Sequence, residues 1–124
     1  MSKQLLIVDD EETILFALER YFTRAGFHVD CARELEEAEA LVTVTTYDVV
    51  IADLSLSERG NEGLEIIRYV RRKSSKARLI LLTAHGSPAV EREAQRRGVH
   101  AILHKPRPLA EIARLVMQLT GEAA

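Results

Sequence analysis

Five polar residues of this sequence have types and positions suited to chemistry on a phosphate group. They are Asp9, Asp10, Asp53, Thr83 and Lys105. Carboxylates that lie close together attract a hard cation such as Mg²⁺, which takes oxygen ligands and often binds a phosphate as well. A lysine adds a point charge for a phosphate oxygen, and a threonine hydroxyl can donate a hydrogen bond to another. A carboxylate at the centre can act as nucleophile and form an aspartyl phosphate.

Each of these residues stands at the end of a short apolar run. The runs lack polar alternation, which is typical of strands buried on both faces of a parallel sheet. They are Leu5–Val8, Val49–Ala52, Leu79–Leu82 and Ala101–Leu103. A fifth candidate strand, His28–Ala32, alternates instead, as an edge strand would.

Stretches with helical spacing of apolar residues separate the runs. Gly26 would cap the first helix, and Pro88 and Pro108 suit the first turns of the fourth and fifth. The second and third helices follow from the apolar spacing between residues 35–42 and 64–70. Five alternations of strand and helix with short connections predict an α/β domain with a parallel sheet and right-handed crossovers.

The predicted sheet is doubly wound and five-stranded, in the flavodoxin-like order 2-1-3-4-5. In that order strands one and three are neighbours at the switch point, where such sheets bind ligands. All parallel strands end at the same edge, so Asp9, Asp10 and Asp53 should meet in one crevice. Thr83 and Lys105 should flank it.

Composition narrows the function classes. The 124 residues fit one domain, predicted to span 1–124, and 47% hydrophobic content supplies its core. The 17 basic and 19 acidic side chains leave a net charge of -2, so no direct nucleic-acid binding is expected. The single cysteine, Cys31, fits a reducing compartment, and the Leu5–Val8 run is too short to span a membrane. We therefore expect a soluble cytoplasmic protein.

Four segments resemble the response-regulator receiver family of two-component signal transduction, in order and across essentially the whole chain. Leu-Ile-Val-Asp-Asp-Glu at 6–11 resembles its acidic opening, and Val-Val-Ile-Ala-Asp-Leu at 49–54 its phosphoacceptor strand. Leu-Leu-Thr-Ala at 81–84 resembles the switch-threonine segment, and Leu-His-Lys-Pro at 103–106 the lysine-proline segment.

The resemblance implies a phosphorylation switch with Mg²⁺ as cofactor. Asp53 would be the phosphorylated residue, and Asp10 and Asp53 direct magnesium ligands. Asp9 would act mainly through water, and the backbone carbonyl of Ser55 would complete the protein's ligands. The domain would catalyse only its own phosphorylation and dephosphorylation, and is not expected to be an enzyme otherwise.

The resemblance also implies how the signal passes. A sensor histidine kinase or a phosphotransfer protein would donate the phosphoryl group. Thr83 would close onto that group, Lys105 would pair with it, and the Lys105-Pro106 bond would be cis. The surface around the fourth helix, fifth strand and fifth helix would rearrange. The partner that recognises this surface would be a target protein or an output domain absent from this chain. Whether the chain is a complete regulator stays open.

Three features depart from the family's usual pattern. Ser57 stands where a proline is common, and the loop from Asp53 to Gly63 is about two residues longer than usual. Ile102 occupies the position of an aromatic that usually couples to the threonine. Arg107 follows Pro106 where another aromatic is common, which makes that rim more basic.

Other polar residues have plainer interpretations. His100 and His104 share a predicted strand face and are expected to pack or face solvent, not to bind metal. The run Arg71–Lys73 is expected to be a solvated helix end beside the helix dipole. His85 is a weak candidate for the pocket mouth, and Cys31 is expected to be a small apolar filler.

Three alternatives remain open. A phosphatase resembling the haloacid-dehalogenase group would need an acid two positions after the nucleophile, where this chain has Ser55. A flavodoxin-like cofactor module would need a Gly-, Ser- or Thr-rich phosphate loop after strand one, where the sequence reads Asp-Asp-Glu-Glu at 9–12. The third alternative is a receiver-like interaction domain that is never phosphorylated.

Overall fold

The computed structural model of the chain describes residues 3–57 and 60–121. Strands and helices alternate throughout these ranges. The elements are β1 Gln4–Val8, α1 Glu12–Arg24, β2 His28–Ala32, α2 Leu35–Val44, β3 Val49–Asp53, α3 Glu62–Lys73, β4 Arg78–Thr83, α4 Pro88–Arg96, β5 Ala101–His104 and α5 Leu109–Thr120. The longer loop predicted between Asp53 and Gly63 includes residues 58 and 59, which lie outside the described residues, as do residues 122–124.

The strands form one parallel sheet in the order β2-β1-β3-β4-β5. This confirms the predicted doubly wound α/β fold. Every residue of β3 is buried, as are Leu5–Val8 of β1, which explains why these runs show no polar alternation. The edge strand β2 is only partly buried over most of its length.

Alternate residues of each central strand enter two separate cores. Leu6 and Val50 pack on one face with α2 and α3, whereas Leu5, Ile7 and Ile51 pack on the other with α1 and α5. Full burial of an aliphatic side chain of this size contributes about 1.5–3 kcal/mol. Helices on both faces therefore hold the sheet rigid while its carboxyl edge stays open.

Gly63 allows α3 to approach the end of β3 unusually closely. A Cβ atom added there would lie 2.7 Å from the carbonyl oxygen of Asp53 and 2.8 Å from the Cα of Leu54. Both atoms belong to the backbone, so neither can move aside cheaply. The Gly63 amide also donates to the Leu54 carbonyl at 2.9 Å, which fixes α3 against the strand that ends in Asp53.

The prediction of a solvated basic run at the end of α3 is wrong for Arg71, which is only partly exposed, whereas Arg72 and Lys73 are exposed in the last turn. Arg71 donates to the backbone carbonyls of Ser74, Ser75, Ala77 and Gly98. Lys73 donates to the carbonyls of Val42 and Thr43 at the end of α2. These cations satisfy carbonyls that the helix ends and loops leave without partners. Of the three residues in this run, Arg72 is exposed and makes no such bond within the described ranges.

His100 directly precedes β5, one residue outside the strand predicted to carry it with His104, and its amide donates to the Leu79 carbonyl at 2.8 Å, which continues the pairing with β4. Its Nδ1 accepts a hydrogen bond from the Leu79 amide at 3.1 Å, and its Nε2 lies 3.3 Å from Nη1 of Arg78. Partial burial, together with the charges of Arg78 and Arg71, lowers the pKa of His100. The imidazole thus joins β4 to the start of β5 in its neutral form.

In the described part of the chain, no helix has the length and apolarity needed to cross a membrane.

We predict that Gly63→Ala destabilises the fold by about 1–3 kcal/mol, because the added methyl meets backbone atoms. Helix propensity alone would give the opposite sign, since Ala is favoured over Gly in a helix by about 1 kcal/mol. Urea unfolding measures the difference. A variant as stable as the wild type would contradict the close approach.

We predict that His100 makes stability depend on pH near neutrality. Since folding lowers its pKa from the ordinary 6.5, the unfolded chain binds a proton more readily, and stability falls as the pH drops below that value. Melting temperatures from about pH 8 to about pH 5 should fall less in His100→Asn, whose amide oxygen can accept the same bond without titrating. Identical pH profiles would contradict this role.

Candidate functional site

The carboxyl ends of four strands form an acidic crevice, defined by Asp9, Asp10, Asp53, Thr83 and Lys105. Asp53 and Thr83 are the last residues of β3 and β4. Asp9 and Asp10 directly follow β1, and Lys105 follows β5. Because β1 and β3 are adjacent, the aspartates after β1 face the one that ends β3, at the switch point of the sheet.

Three carboxylates meet in this crevice. Oxygens of Asp9, Asp10 and Asp53 all lie within 4.8 Å of one another. Asp9 is completely buried and Asp53 is 7% exposed, whereas Asp10 is exposed. Burial raises the pKa of both Asp9 and Asp53, and the Asp9 charge raises that of Asp53 further, against the opposing effect of Lys105. Such a set of oxygen donors could hold a hard metal ion.

Lys105 is the cation that compensates these charges. Its Nζ donates to Asp9 at 2.9 Å, Glu11 at 2.8 Å and Asp53 at 3.0 Å. All three ammonium hydrogens therefore have carboxylate acceptors. Burial alone would lower the pKa of Lys105, but these hydrogen bonds hold it above its ordinary value. The side chain is 12% exposed, so the ammonium group is held next to the carboxylates and largely away from solvent.

Short turns after β1 and β3 orient the two buried aspartates. Oδ1 of Asp9 accepts from the Glu11 amide at 2.9 Å, and the Asp9 amide donates to Ala32 at 3.1 Å. Oδ1 of Asp53 accepts from the Ser55 amide at 3.2 Å. In each case one carboxylate oxygen binds the backbone and the other binds Lys105, which fixes both rotamers.

Thr83 lies under the loop that leads into α4. It is 1% exposed, and its carbonyl accepts the Lys105 amide at 2.8 Å. A Cβ atom at Gly86 would lie 3.2 Å from Oγ1 of Thr83 and 2.9 Å from Oε2 of Glu91. Gly86 therefore lies in close contact with this threonine and with a side chain from the first turn of α4.

Sequence reasoning missed two acids beside the crevice. Glu11 binds Lys105, but its position before α1 suggested only a favourable helix start. Glu62 is 3% exposed, and its carboxylate accepts the Leu56 amide at 3.0 Å and the Ser57 hydroxyl. It ties the loop after β3 to α3. Its place at the start of a helix was the available signal, but burial of an acid cannot be read from spacing.

Two of the three departures from the usual family pattern, Ile102 and Arg107, lie in and just after β5. Ile102 is partly buried and packs against the α2–α3 core. Arg107 pairs with Glu111 at 3.0 Å, so its charge at the rim is balanced. His104 contacts Glu91 of α4 at 2.9 Å. The Lys105-Pro106 bond is cis, as the resemblance implied.

Two further residues have weaker functional interpretations. His85 is exposed. Cys31 packs against the core formed with α1 and α5. Burial, together with the charges of Glu19 and Asp30, raises the pKa of the Cys31 thiol to about 11. The thiol is therefore protonated at neutral pH, consistent with a small apolar filler.

A doubly wound five-stranded sheet with an acidic crevice and a lysine at its carboxyl edge defines the receiver class of domains. The response regulator receiver domain model matches residues 5–117. The chain belongs to that family, a component of two-component signal transduction.

Relatives of this chain are regulators. The photosynthetic apparatus regulatory protein RegA of Rhodobacter capsulatus is 31% identical over 122 residues, which cover 98% of this chain and 65% of RegA. The acid tolerance regulatory protein ActR of Rhizobium meliloti (strain 1021) is 32% identical over 121 residues, 98% of this chain and 61% of ActR. The chain thus spans less than two thirds of the length of these relatives.

Solved structures agree with the fold. A CheY-like receiver domain protein from Methanospirillum hungatei JF-1 superposes with a TM-score of 0.89 at 19% identity, covering 98% of this chain and 95% of that one. A response regulator from Burkholderia pseudomallei, with a phosphorylated aspartic acid, a calcium ion and citrate, superposes with a TM-score of 0.80 at 28% identity. The match covers 90% of this chain and 65% of that one.

We predict that Lys105→Met destabilises the protein by about 2 kcal/mol or more in the presence of EDTA, because it leaves buried carboxylates without their cation. The matched control is Arg107→Met, which removes a partly exposed ion pair two residues away and should cost less than about 1 kcal/mol. Urea unfolding at neutral pH compares them. Equal losses would show that Lys105 does not hold the crevice together.

Proposed function

We propose that Asp53 accepts a phosphoryl group in a Mg²⁺-dependent reaction and thereby switches the surface formed by α4, β5 and α5. The observation that carries the proposal is the placement of Asp53. Its carboxylate is nearly buried, bonded to Lys105 at 3.0 Å, and within 4.8 Å of carboxylate oxygens of Asp9 and Asp10. Nucleophile, neighbouring acids and cation thus stand in one crevice.

The donor set fits magnesium. Asp10 and Asp53 would be direct ligands, Asp9 would act mainly through water, and the backbone carbonyl of Ser55 would add a neutral oxygen. Mg²⁺ favours this mixture, since it retains waters and often uses one or two carboxylates with a phosphate. The Burkholderia pseudomallei regulator, which carries a phosphorylated aspartic acid and a calcium ion, supports this assignment. When bound, the ion would neutralise charge on the phosphoryl oxygens.

The chain's own residues provide the rest of the chemistry. The proposed donor is a phosphohistidine. A carboxylate oxygen of Asp53 forms the new bond to phosphorus while the bond from phosphorus to the histidine nitrogen breaks, and the leaving imidazole keeps that electron pair. Lys105 would pair with a phosphoryl oxygen, and Thr83 would donate a hydrogen bond to another. Positioning and electrostatics are the main contributions that a protein makes to such a transfer.

The partners follow from this chemistry. A phosphohistidine on a sensor histidine kinase or a phosphotransfer protein would be the donor. The reader would be a target protein or an output domain outside this chain, in keeping with relatives that are longer than it. We propose that 1–124 is one receiver domain, that it acts only on its own phosphoryl group and that it binds neither nucleic acid nor a membrane directly. A cytoplasmic location is proposed because its single cysteine suits a reducing compartment.

Two rival functions lack the residues that they need. The phosphatase alternative requires a general acid at position 55, which is an exposed serine. The cofactor-module alternative requires a phosphate loop after β1, where Asp9, Asp10 and Glu11 stand. The third rival, a receiver-like domain that is never phosphorylated, would have the same structural features as a phosphorylated receiver domain. A phosphorylation experiment distinguishes the two.

We predict that acetyl phosphate and Mg²⁺ add one phosphoryl group to the wild-type protein, seen as a single increment by intact-protein mass spectrometry. Asp53→Ala should abolish the increment because the nucleophile is gone, and EDTA should abolish it because the acidic crevice repels the donor. Asp48→Asn, an exposed acid at the opposite edge of the sheet, serves as the matched control and should be modified normally.

A folded, Mg²⁺-binding wild-type protein that gains no phosphoryl group would overturn the proposal in favour of the interaction domain. Retention of the increment in Asp53→Ala would move the acceptor to another residue. Circular dichroism and the magnesium-dependent shift in melting temperature verify folding and metal binding in each sample.

A further inference from the structure

A concave site between α3 and α4, which we call the arginine cleft, is lined by arginines alone. They are Arg68, Arg71, Arg72, Arg96 and Arg97, around a volume of about 340 Å³. The cleft lies towards the carboxyl ends of these helices, which run antiparallel to the strands. It is therefore at the edge of the sheet opposite the acidic crevice, and it takes no part in the function proposed for Asp53.

Two of the five arginines have structural roles that fix their guanidinium groups. Arg71 donates to four backbone carbonyls, including Gly98 at 2.8 Å. Arg97 donates to the Leu64 carbonyl at 2.9 Å and to Glu93 at 2.8 Å. These two guanidinium groups are thus held in place before any ligand arrives, which lowers the entropic cost of binding for their part of the wall. Arg68, Arg72 and Arg96 are exposed.

The other three arginines have no comparable structural explanation. Arg68 and Arg72 are exposed and make no ion pair with an acid in the described ranges. They stand four residues apart on one face of α3, a like-charge spacing that destabilises a helix. Arg96 contacts only Glu93, which already binds Arg97. One carboxylate among five guanidiniums leaves an excess of four positive charges.

The helix dipole accounts for only part of the cluster: Arg71, Arg72 and Arg96 stand in the last turns of α3 and α4, but Arg68 does not. A cation near a helix carboxyl end gains about 0.3–1 kcal/mol, and the effect is confined to the last turn. Arg68 lies before the last turn of α3, which ends at Lys73.

We propose that the arginine cleft binds a compact multivalent phosphate, such as the phosphate chain of a nucleotide or a free polyphosphate. Guanidinium groups bind phosphate oxygens through paired, charge-assisted hydrogen bonds. No lining residue is aliphatic or aromatic, although much of the wall is formed by the carbon stems of the arginine side chains. The cleft therefore lacks both the anchor of a peptide interface and a platform for stacking bases. Charge density on the ligand is what it can recognise.

Isothermal titration calorimetry with inorganic tripolyphosphate tests the proposal on the whole chain, in low salt with EDTA. Without Mg²⁺ the acidic crevice repels the probe, so binding reports on the cleft. We expect tripolyphosphate to bind about tenfold or more tightly than orthophosphate, a difference of about 1.4 kcal/mol. Amide NMR shifts should centre on Arg72 and Gly98.

The double variant Arg68→Gln with Arg72→Gln should weaken binding by about tenfold or more. The matched control, Arg24→Gln with Arg114→Gln, removes the same charge from exposed sites on α1 and α5 and should bind as the wild type does. ATP distinguishes the two sources of the ligand. Affinity equal to that of tripolyphosphate indicates recognition of the phosphate chain alone, and higher affinity indicates a nucleotide.

Three outcomes would overturn the proposal: no binding of tripolyphosphate, equal weakening in both double variants, or tighter binding of single-stranded DNA than of any compact phosphate. The last would make the cleft part of a nucleic-acid surface. None of these outcomes bears on phosphorylation of Asp53, which is assayed separately by mass.

Discussion

The hydrogen bonds from the Lys105 ammonium to Asp9 and Asp53 are the interaction on which this crevice depends. Two carboxylates that are 0% and 7% exposed cannot both stay ionised in an apolar setting without a cation. The sheet order makes the compensation possible, because it sets β1 beside β3 and ends β5 at the same edge. Helices on both faces then shield the group from solvent, which strengthens each interaction.

The fold and the centre of the site could be predicted because both follow from local patterns. Unbroken apolar runs identify buried parallel strands, and the direction of those strands places Asp9, Asp53 and Lys105 at one edge regardless of detailed packing. The cis Lys105-Pro106 bond came from family resemblance and is present. The roles of Asp10, Ser55 and Thr83 rest on resemblance as well, and await the phosphorylation experiment.

What sequence reasoning missed involves partners far away along the chain. Glu11 binds Lys105 ninety-four residues later, Arg71 reaches Gly98 across 27 residues, and His100 accepts from Leu79 across 21. Spacing describes only the element on which a residue sits, so Arg71 suggested a solvated helix end. Glu62 was missed for the same reason, since its carboxylate is buried by a loop whose path spacing does not define.

Balanced composition concealed a segregation of charge. The net charge of -2 averages an acidic crevice at the carboxyl edge of the sheet with an arginine-lined cleft towards the opposite edge. The dipole of a helix stabilises acids near its amino end and cations near its carboxyl end only weakly. The two clusters therefore depend mainly on where the fold places these side chains. Counting charges therefore limited the class of partner but could not locate a site.

Contacts join Thr83 to α4 without an aromatic at position 102. Thr83 is nearly completely buried, and a Cβ atom at Gly86 would lie 3.2 Å from its Oγ1 and 2.9 Å from the carboxylate of Glu91. Glu91 in turn contacts His104 of β5 at 2.9 Å. Because packed groups transmit displacement, a movement of the Thr83 side chain would press on the Gly86 loop. Close packing can thus couple the two in a chain where Ile102 faces the core.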